Sequence, residues 1–481
     1  MAGDDGGAGR AAGGAPPDRM AAGARSGGRT GGAGPACSIL AAMPRSLFGT
    51  DGVRGLAGEK LTADLALALG RAATDLSSTR APRVLIIRDP RESGEMLASA
   101  LAAGVAAAGG EASLGGVVPT PAAPLAIARD GYDLGVVVSA SHNPFHDNGI
   151  KFFGPDGDKL SDATEEAIEG ALASPAAGVP EAFGRIRGVD GALDGYLAAL
   201  YLRFGGLDLS GVRVLLDCAN GATFAAAPAI FRALGAKVTV LADAPDGRNI
   251  NAGCGSTHPE LLRSRMAASR YDIGFAFDGD GDRVVAVDRA GRVADGDELV
   301  ALAAVHLKRA GRLRGDGVAM TVMTNFGFHR AMRDAGIEVT TTKVGDRYVL
   351  AALRERGLTL GGEQSGHIIE LGFAPSGDGI ASALLTLEAL AGRDLATARV
   401  FDPLPQRLVN VPVPGTAAAV VDAPVVRDAV STATGRLAGS GRVLVRPSGT
   451  EPLVRVMAEA PSSRQAADVC EQVAAAVRAA A

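Results

Sequence analysis

Asp278-Gly279-Asp280-Gly281-Asp282-Arg283 places three carboxylates at alternate positions, with glycines between them that let the loop curl. Converging carboxylates repel one another unless a cation sits among them, and hard oxygen donors favour Mg2+. An EF-hand does not fit, because its sixth position would be Arg283 instead of Gly and its twelfth Arg289 instead of Glu. The loop directly follows the apolar run Ile273–Phe277, which argues against a merely exposed acidic turn. Upstream, Ser139-Ala140-Ser141-His142-Asn143-Pro144 follows a second apolar run, Leu134-Gly135-Val136-Val137-Val138. A buried strand that ends in hydroxyls, an imidazole and a proline-fixed turn suits a serine facing a ligand. Spacing alone does not separate Ser139 from Ser141 in that role.

Two more loops carry complementary chemistry. Arg446-Pro447-Ser448-Gly449-Thr450-Glu451-Pro452 has the composition of an anion cradle: a guanidinium fork, two hydroxyls and a Gly that permits a nest of backbone N–H groups. Arg455, two residues past Leu453, adds charge. Glu363-Gln364-Ser365-Gly366-His367 offers acceptors and donors suited to a polyol, although His367 alone reads as well as a structural histidine. Near Ser141, His142 could donate to a phosphoryl oxygen. Lys151 lies on the short apolar stretch Gly149–Phe153, where an amine can lose its charge and act as a general base. Arg54, in the Gly-rich turn Phe48–Gly55, could meet a phosphate on Ser141. A serine, a metal loop, a sugar-like polar loop and a phosphate cradle would together hold one phosphorylated polyol and exchange its phosphate.

Positioning these loops requires strands that end together. Past Met43 the chain alternates β-branched apolar runs with Ala/Leu-rich helical segments, which predicts parallel sheets covered by helices. Arg83–Ile87, Val212–Asp217 and Val318–Val322 each open such a unit. Tyr132-Asp133-Leu134-Gly135 and Tyr271-Asp272-Ile273-Gly274 match residue for residue, and Leu358–Gly362 matches them in kind. Three related mixed-sheet α/β domains are expected, each presenting one loop from the carboxyl end of a strand. A smaller α+β C-terminal domain follows, around a central cleft. The expected limits are 43–195, 196–293, 294–405 and 406–481. Residues 1–42 are rich in Gly, Ala, Arg and Pro, lack a core-forming pattern, and read as a disordered extension, with Met43 a plausible start of translation.

The chain has 481 residues, a net charge of −5 and 47% hydrophobic residues. No basic stretch points to nucleic acid and no apolar run is long enough to span a bilayer. Four scattered cysteines suggest neither zinc nor a disulfide framework and fit a reducing cytoplasm.

The four loops, in order and type, resemble those of the α-D-phosphohexomutase superfamily over essentially the whole chain after Met43. Phe48–Gly55, Cys254-Gly255-Ser256-Thr257-His258, Val344-Gly345-Asp346-Arg347-Tyr348-Val349 and Gln364 are similar to the branch acting on glucosamine phosphates. The resemblance implies interconversion of glucosamine 6-phosphate and glucosamine 1-phosphate, through a glucosamine 1,6-bisphosphate that turns over within the site, feeding UDP-N-acetylglucosamine synthesis. It selects Ser141 as the phosphoserine, with Asp278, Asp280, Asp282 and Ser141 holding Mg2+. It implies Lys151 as base, with Arg54, His142 and Arg283 beside it. Arg347, Glu363, Ser365 and His367 would serve the sugar, and Arg446, Ser448, Gly449, Thr450 and Arg455 the distal phosphate. A homodimer is compatible with it. The same motifs fit a phosphomannomutase or phosphoglucomutase; a silent sugar-phosphate binder and a Mg2+ phosphatase are more distant alternatives.

Overall fold

The computed structural model describes residues 47–49, 51–173, 181–268, 270–414, 416–448 and 452–481. The N-terminal extension, the start at Met43, Gly449 and Thr450 lie outside the described residues. Four sheets follow one another along the chain. The first contains β1 (Phe48–Gly49), β2 (Gly52–Leu56), β3 (Arg83–Arg88), β4 (Glu111–Val117), β5 (Leu134–Val138), β6 (Asp147–Phe153) and β7 (Ile186–Gly188), in the order β1-β2-β6-β5-β3-β4-β7. The second contains β8 (Arg213–Asp217), β9 (Lys237–Leu241), β10 (Ile273–Phe277), β11 (Val284–Val287) and β12 (Val293–Ala294), in the order β12-β11-β10-β8-β9. The third contains β13 (Gly317–Thr321), β14 (Glu338–Thr342), β15 (Leu360–Gly362) and β16 (Ile368–Glu370), in the order β14-β13-β15-β16. The last is an antiparallel ribbon of β17 (Gln406–Pro412), β18 (Arg442–Pro447) and β19 (Leu453–Glu459), with β19 central.

The first three sheets repeat one device. A buried central strand pairs in parallel with its predecessor: β5 with β3, β10 with β8, β15 with β13. The chain then turns and returns antiparallel, as β6, β11 or β16. The serine, aspartate and Glu363 loops singled out in the sequence are these turns. The sheets are therefore mixed, with the apolar runs read from the sequence among their parallel strands. The matching Tyr-Asp dipeptides have a common task. Asp133 accepts the Arg83 backbone N–H at 2.9 Å, and Asp272 accepts that of Arg213 at 2.8 Å. Each carboxylate satisfies the opening donor of the neighbouring parallel strand. The Gly-rich segment Phe48–Gly55, expected as a turn, is instead a hairpin. Gly49 pairs with Gly52 at its tip, and β2 joins the sheet beside β6, with Arg54 opposite Gly149.

One apolar core runs through the first three sheets, including Phe204, Phe231, Phe275, Val300 and Leu384. It holds their loops in fixed relation. The C-terminal ribbon has its own core, built from Val411, Val454, Val456 and the buried face of Ser463–Ala480 with Ala466, Val469, Cys470, Val473 and Val477. Ser462 caps that helix by accepting the Gln465 N–H. Arg442 and Glu459, cross-strand partners, dock the ribbon onto the third domain. Arg442 donates to Val322 O at 2.9 Å and Thr324 O at 2.6 Å, while Glu459 accepts the Phe326 N–H at 2.8 Å. Among the described residues, no helix is long and apolar enough to cross a membrane.

Phe275 is fully buried on β10, its ring 5.9 Å from that of Phe231. Phe275→Ala should lower unfolding free energy by about 3–5 kcal/mol in denaturant titration. A loss under about 1 kcal/mol would contradict its place in the shared core.

Candidate active site

The loops after β5 and β10 meet face to face. Ser141 is 1% exposed, and its Oγ donates to Asp278 Oδ2 at 2.6 Å. Ser139 is also buried, but its hydroxyl donates to Asp89 Oδ2 at 2.6 Å. Of the two serines left open by the sequence, Ser141 is the one aimed at the carboxylates. Asp278, Asp280 and Asp282 are 0%, 1% and 6% exposed, and one oxygen from each lies within 4.8 Å of the others. Burial raises the Asp278 pKa well above the usual carboxylate value, and its two acidic neighbours add to the shift. Asp280 Oδ1 and Asp282 Oδ1 are buried without a hydrogen-bond partner. Orphaned buried anionic oxygens converging on one point are a donor set suited to a hard divalent cation.

Two residues without any signal in the sequence lock these loops together. Thr120 donates its N–H to Asp280 O at 2.9 Å and its hydroxyl to Asp280 Oδ2 at 2.7 Å. Asn251 Nδ2 donates to Ser141 O at 3.0 Å and Asn143 O at 3.1 Å. Gly279 permits the approach: a Cβ there would come within 2.5 Å of Ser141 O and 2.7 Å of Asn251 Nδ2.

Lys151 lies among carboxylates rather than in the apolar surroundings expected. Its Nζ is 2.9 Å from Asp280, 3.1 Å from Asp51 and 3.8 Å from Asp282. Burial favours the neutral amine, but these three acids outweigh it and hold the pKa above the ordinary lysine value. In this geometry the carboxylates favour the charged amine. Arg283 Nη1 lies 3.1 Å from His142 Nδ1, and an arginine can only donate, so Nδ1 accepts. Nε2 then carries the imidazole proton and is the donor available to a phosphoryl group. Burial, reinforced by Arg283 and Arg54, lowers the His142 pKa to about 4. Arg54 points at the serine loop, with Nη1 3.5 Å from Ala140 O, and pairs with Asp51.

The third loop is tied to the second through its backbone: Val284 N–H donates to Gly366 O at 3.1 Å, and Arg283 bridges His367. Glu363 accepts the Gly345 N–H at 3.0 Å. Ser365 is exposed. His367 is buried; its Nε2 accepts the Gly377 N–H at 3.0 Å and its Nδ1 lies 3.6 Å from Asp282. The Gly377 contact places the ring proton on Nδ1. Against burial, Asp282, Asp346 and Glu363 pull the pKa upward, but with Nε2 taken by the Gly377 N–H the ring holds its one proton on Nδ1, facing Asp282. His367 thus joins two loops as well as lining the cleft. Arg347 departs from expectation. Its guanidinium pairs with Asp162 and, at 3.5 Å, with Glu165, both in the helix Asp162–Ala173. Two acids in the first turn of that helix hold it there, as a strut between domains.

A cavity of about 740 Å3 opens between the loops. Asp51, Arg54, Asp282, Arg283, Asp346, Glu363, His367 and Arg446 line it, together with Lys60, which carries no signal in the sequence. Arg446 reaches it from the C-terminal ribbon, directly across from Arg455. Like charges facing each other on a ribbon are unfavourable without an anion between them. Burial, then Arg455, lowers the Arg446 pKa. Ser448 Oγ is buried without a partner among the described residues.

Three α/β domains with a fourth closing one cleft define a phosphohexose mutase architecture. The chain matches the family models "Phosphoglucomutase/phosphomannomutase, alpha/beta/alpha" domain I over 45–177, domain II over 194–291 and domain III over 295–407, and the C-terminal domain over 408–476. It is 48% identical over 445 residues to a phosphoglucosamine mutase of Desulforudis audaxviator, covering 89% of this chain and 97% of the relative. It is 49% identical over 443 residues to that of Mycolicibacterium paratuberculosis, covering 90% and 99%. The chain belongs to the phosphoglucosamine mutase family. Among solved structures, a phosphoglucomutase/phosphomannomutase family protein from Burkholderia thailandensis aligns with TM-score 0.77 at 28% identity, covering 90% of this chain and 97% of that one. Aspergillus fumigatus N-acetylphosphoglucosamine mutase, solved with GlcNAc-6P and magnesium, shares the fold at TM-score 0.62 and 20% identity, covering 90% and 96%.

Asp280→Asn keeps the shape of the trio and removes one charge. Calorimetric titration with Mg2+ alone should show affinity reduced by roughly tenfold or more, with cooperative melting retained. Unchanged binding would contradict a metal role for the trio. Because His142 is neutral above about pH 4, NMR titration of its ring should show no inflection between pH 6 and 8. An inflection near the ordinary histidine value would contradict the geometry at Nδ1.

Proposed function

We propose that this chain interconverts α-D-glucosamine 6-phosphate and α-D-glucosamine 1-phosphate, with phospho-Ser141 as the carrier and Mg2+ held by Asp278, Asp280, Asp282 and a Ser141 phosphate oxygen. The observation that carries this reading is the Ser141 hydroxyl donating at 2.6 Å into a buried carboxylate trio. The names of the two relatives support the choice of sugar. When bound, Mg2+ supplies positive charge that offsets what accumulates on the transferring phosphoryl group.

Catalysis by the chain's own residues is mainly positioning and charge. The P–O bond to Ser141 breaks as one to the free sugar oxygen forms; the sugar hydroxyl gives up its proton and the departing Ser141 Oγ takes one up, giving glucosamine 1,6-bisphosphate. The intermediate turns over in the cleft, and the second transfer returns the other phosphate to Ser141. Arg283, Arg54 and Lys151 supply positive charge at the serine end, and His142 donates through Nε2. Glu363 and Ser365 take sugar hydroxyls, with His367 buttressing their loop. Arg446, Ser448, Gly449, Thr450 and Arg455 hold the distal phosphate. One cradle serves both ends of the intermediate because each end visits it in turn. A cytoplasmic enzyme, a homodimer and domain limits at 43–195, 196–293, 294–405 and 406–481 belong to the same reading.

Turnover of glucosamine, mannose and glucose 6-phosphates tests it. Glucosamine 6-phosphate should be the best of the three by kcat/KM. Preference for mannose or glucose phosphate would instead indicate a phosphomannomutase or phosphoglucomutase, and net phosphate release a phosphatase.

A further inference from the structure

Ser141 adopts a left-handed backbone conformation, with φ 53°. This is costly for a residue with a Cβ and persists only where surrounding contacts dictate it. Asn251 supplies two of those contacts; the others converge on Asp89 and Arg91, which follow β3. Arg91 has a fully buried side chain, paired through Nε with Asp89 Oδ2 at 2.8 Å. Its Nη2 donates to Ser141 O at 2.8 Å and Asn143 O at 2.9 Å. Its Nη1 donates to Asp147 O at 3.1 Å and to Pro144 O. All five guanidinium N–H groups are thus engaged, four of them by carbonyls of a single loop.

The other half of the arrangement runs through Ser139. The Ser141 N–H donates to Ser139 Oγ at 2.9 Å, and that hydroxyl donates to Asp89 Oδ2 at 2.6 Å. Both backbone polar groups of Ser141 therefore lead to one carboxylate: the carbonyl through Arg91, the amide through Ser139. The ring closes around the residue whose Oγ faces Asp278.

We infer that Asp89, Arg91 and Ser139 form a bracket that holds Ser141 in its left-handed conformation and so fixes the trajectory of the phosphoryl group it carries. None of the three touches the substrate cavity; they are positioning residues. The inference rests on the assignment of Ser141 as the phosphate carrier. A displacement of about 1 Å in a reacting group can cost roughly a hundredfold in rate. Loss of the bracket should therefore appear in the transfer step and leave ground-state binding by the other loops largely intact. Lysine cannot replace Arg91, because a single ammonium has three donors and no fork to span four carbonyls. It does keep a positive charge beside Asp89.

Arg91→Lys and Ser139→Ala test this in the full-length enzyme with Mg2+. Each should lower kcat for glucosamine 6-phosphate by roughly tenfold or more, with KM changed less than about threefold. Hydrogen exchange at the 139–147 amides should accelerate while exchange in β10 stays as in the unaltered protein. Ser139→Ala deletes one hydroxyl and leaves the Asp89–Arg91 pair, so it remains informative if Arg91→Lys fails to fold. Unaltered kcat in Ser139→Ala overturns the bracket, as does faster exchange spread evenly through β10. Absence of mutase turnover in the unaltered protein would overturn the function instead, and the exchange measurement would still decide the bracket.

Discussion

Three aspartates held together without solvent are the constraint around which this molecule is built. Carboxylates this close and this deeply buried oppose one another strongly. The surrounding chain answers from several directions: the cations Lys151 from β6 and Arg283 from the loop itself, and the Nδ1 side of the His367 ring from the third domain. The Ser141 hydroxyl enters the same point as a hydrogen-bond donor. Charge balance at one locus thus requires three domains at once. This explains why their sheets share one apolar core, whereas the fourth domain, which brings the Arg446 loop, has its own.

The repeated turn from a parallel strand into an antiparallel return does the placing. It delivers one polar loop per sheet, always at the carboxyl end of a buried strand. Backbone hydrogen bonds then fasten loop to loop: Thr120 to Asp280, Val284 to Gly366, Gly379 to Gly281. Side chains add the cross-links of Asn251 and Arg91 to the serine loop. These fastenings come from groups that do not line the cavity.

How much of this was legible in the sequence follows from the nature of each signal. The apolar runs that became β3, β5, β8, β10 and β13 were readable, as were the loops at their ends, because burial and chemistry both leave local patterns. The hairpin Phe48–Leu56 was not, since its glycines signal a turn while its pairing with β6 is set far along the chain. Thr120, Asn251 and Arg91 were silent: their roles lie in contacts 50 to 160 residues away. The surroundings of Lys151 were illegible for the same reason. Its apolar neighbours in sequence point elsewhere in β6, and the acids around its amine come from the hairpin and from the second domain. Arg347 was drawn to the helix Asp162–Ala173 by two carboxylates that only the fold brings near.

In the function proposed above, one hydroxyl among three buried carboxylates relays phosphate between the two ends of a sugar. The most direct measurement is a chase experiment on enzyme carrying radiolabelled phosphate on Ser141, mixed with unlabelled glucosamine 6-phosphate and Mg2+. Label should leave Ser141, pass through glucosamine 1,6-bisphosphate and enter the sugar monophosphates, with no burst of inorganic phosphate. Label that remains on the protein through many turnovers, or departs as inorganic phosphate, would contradict the account.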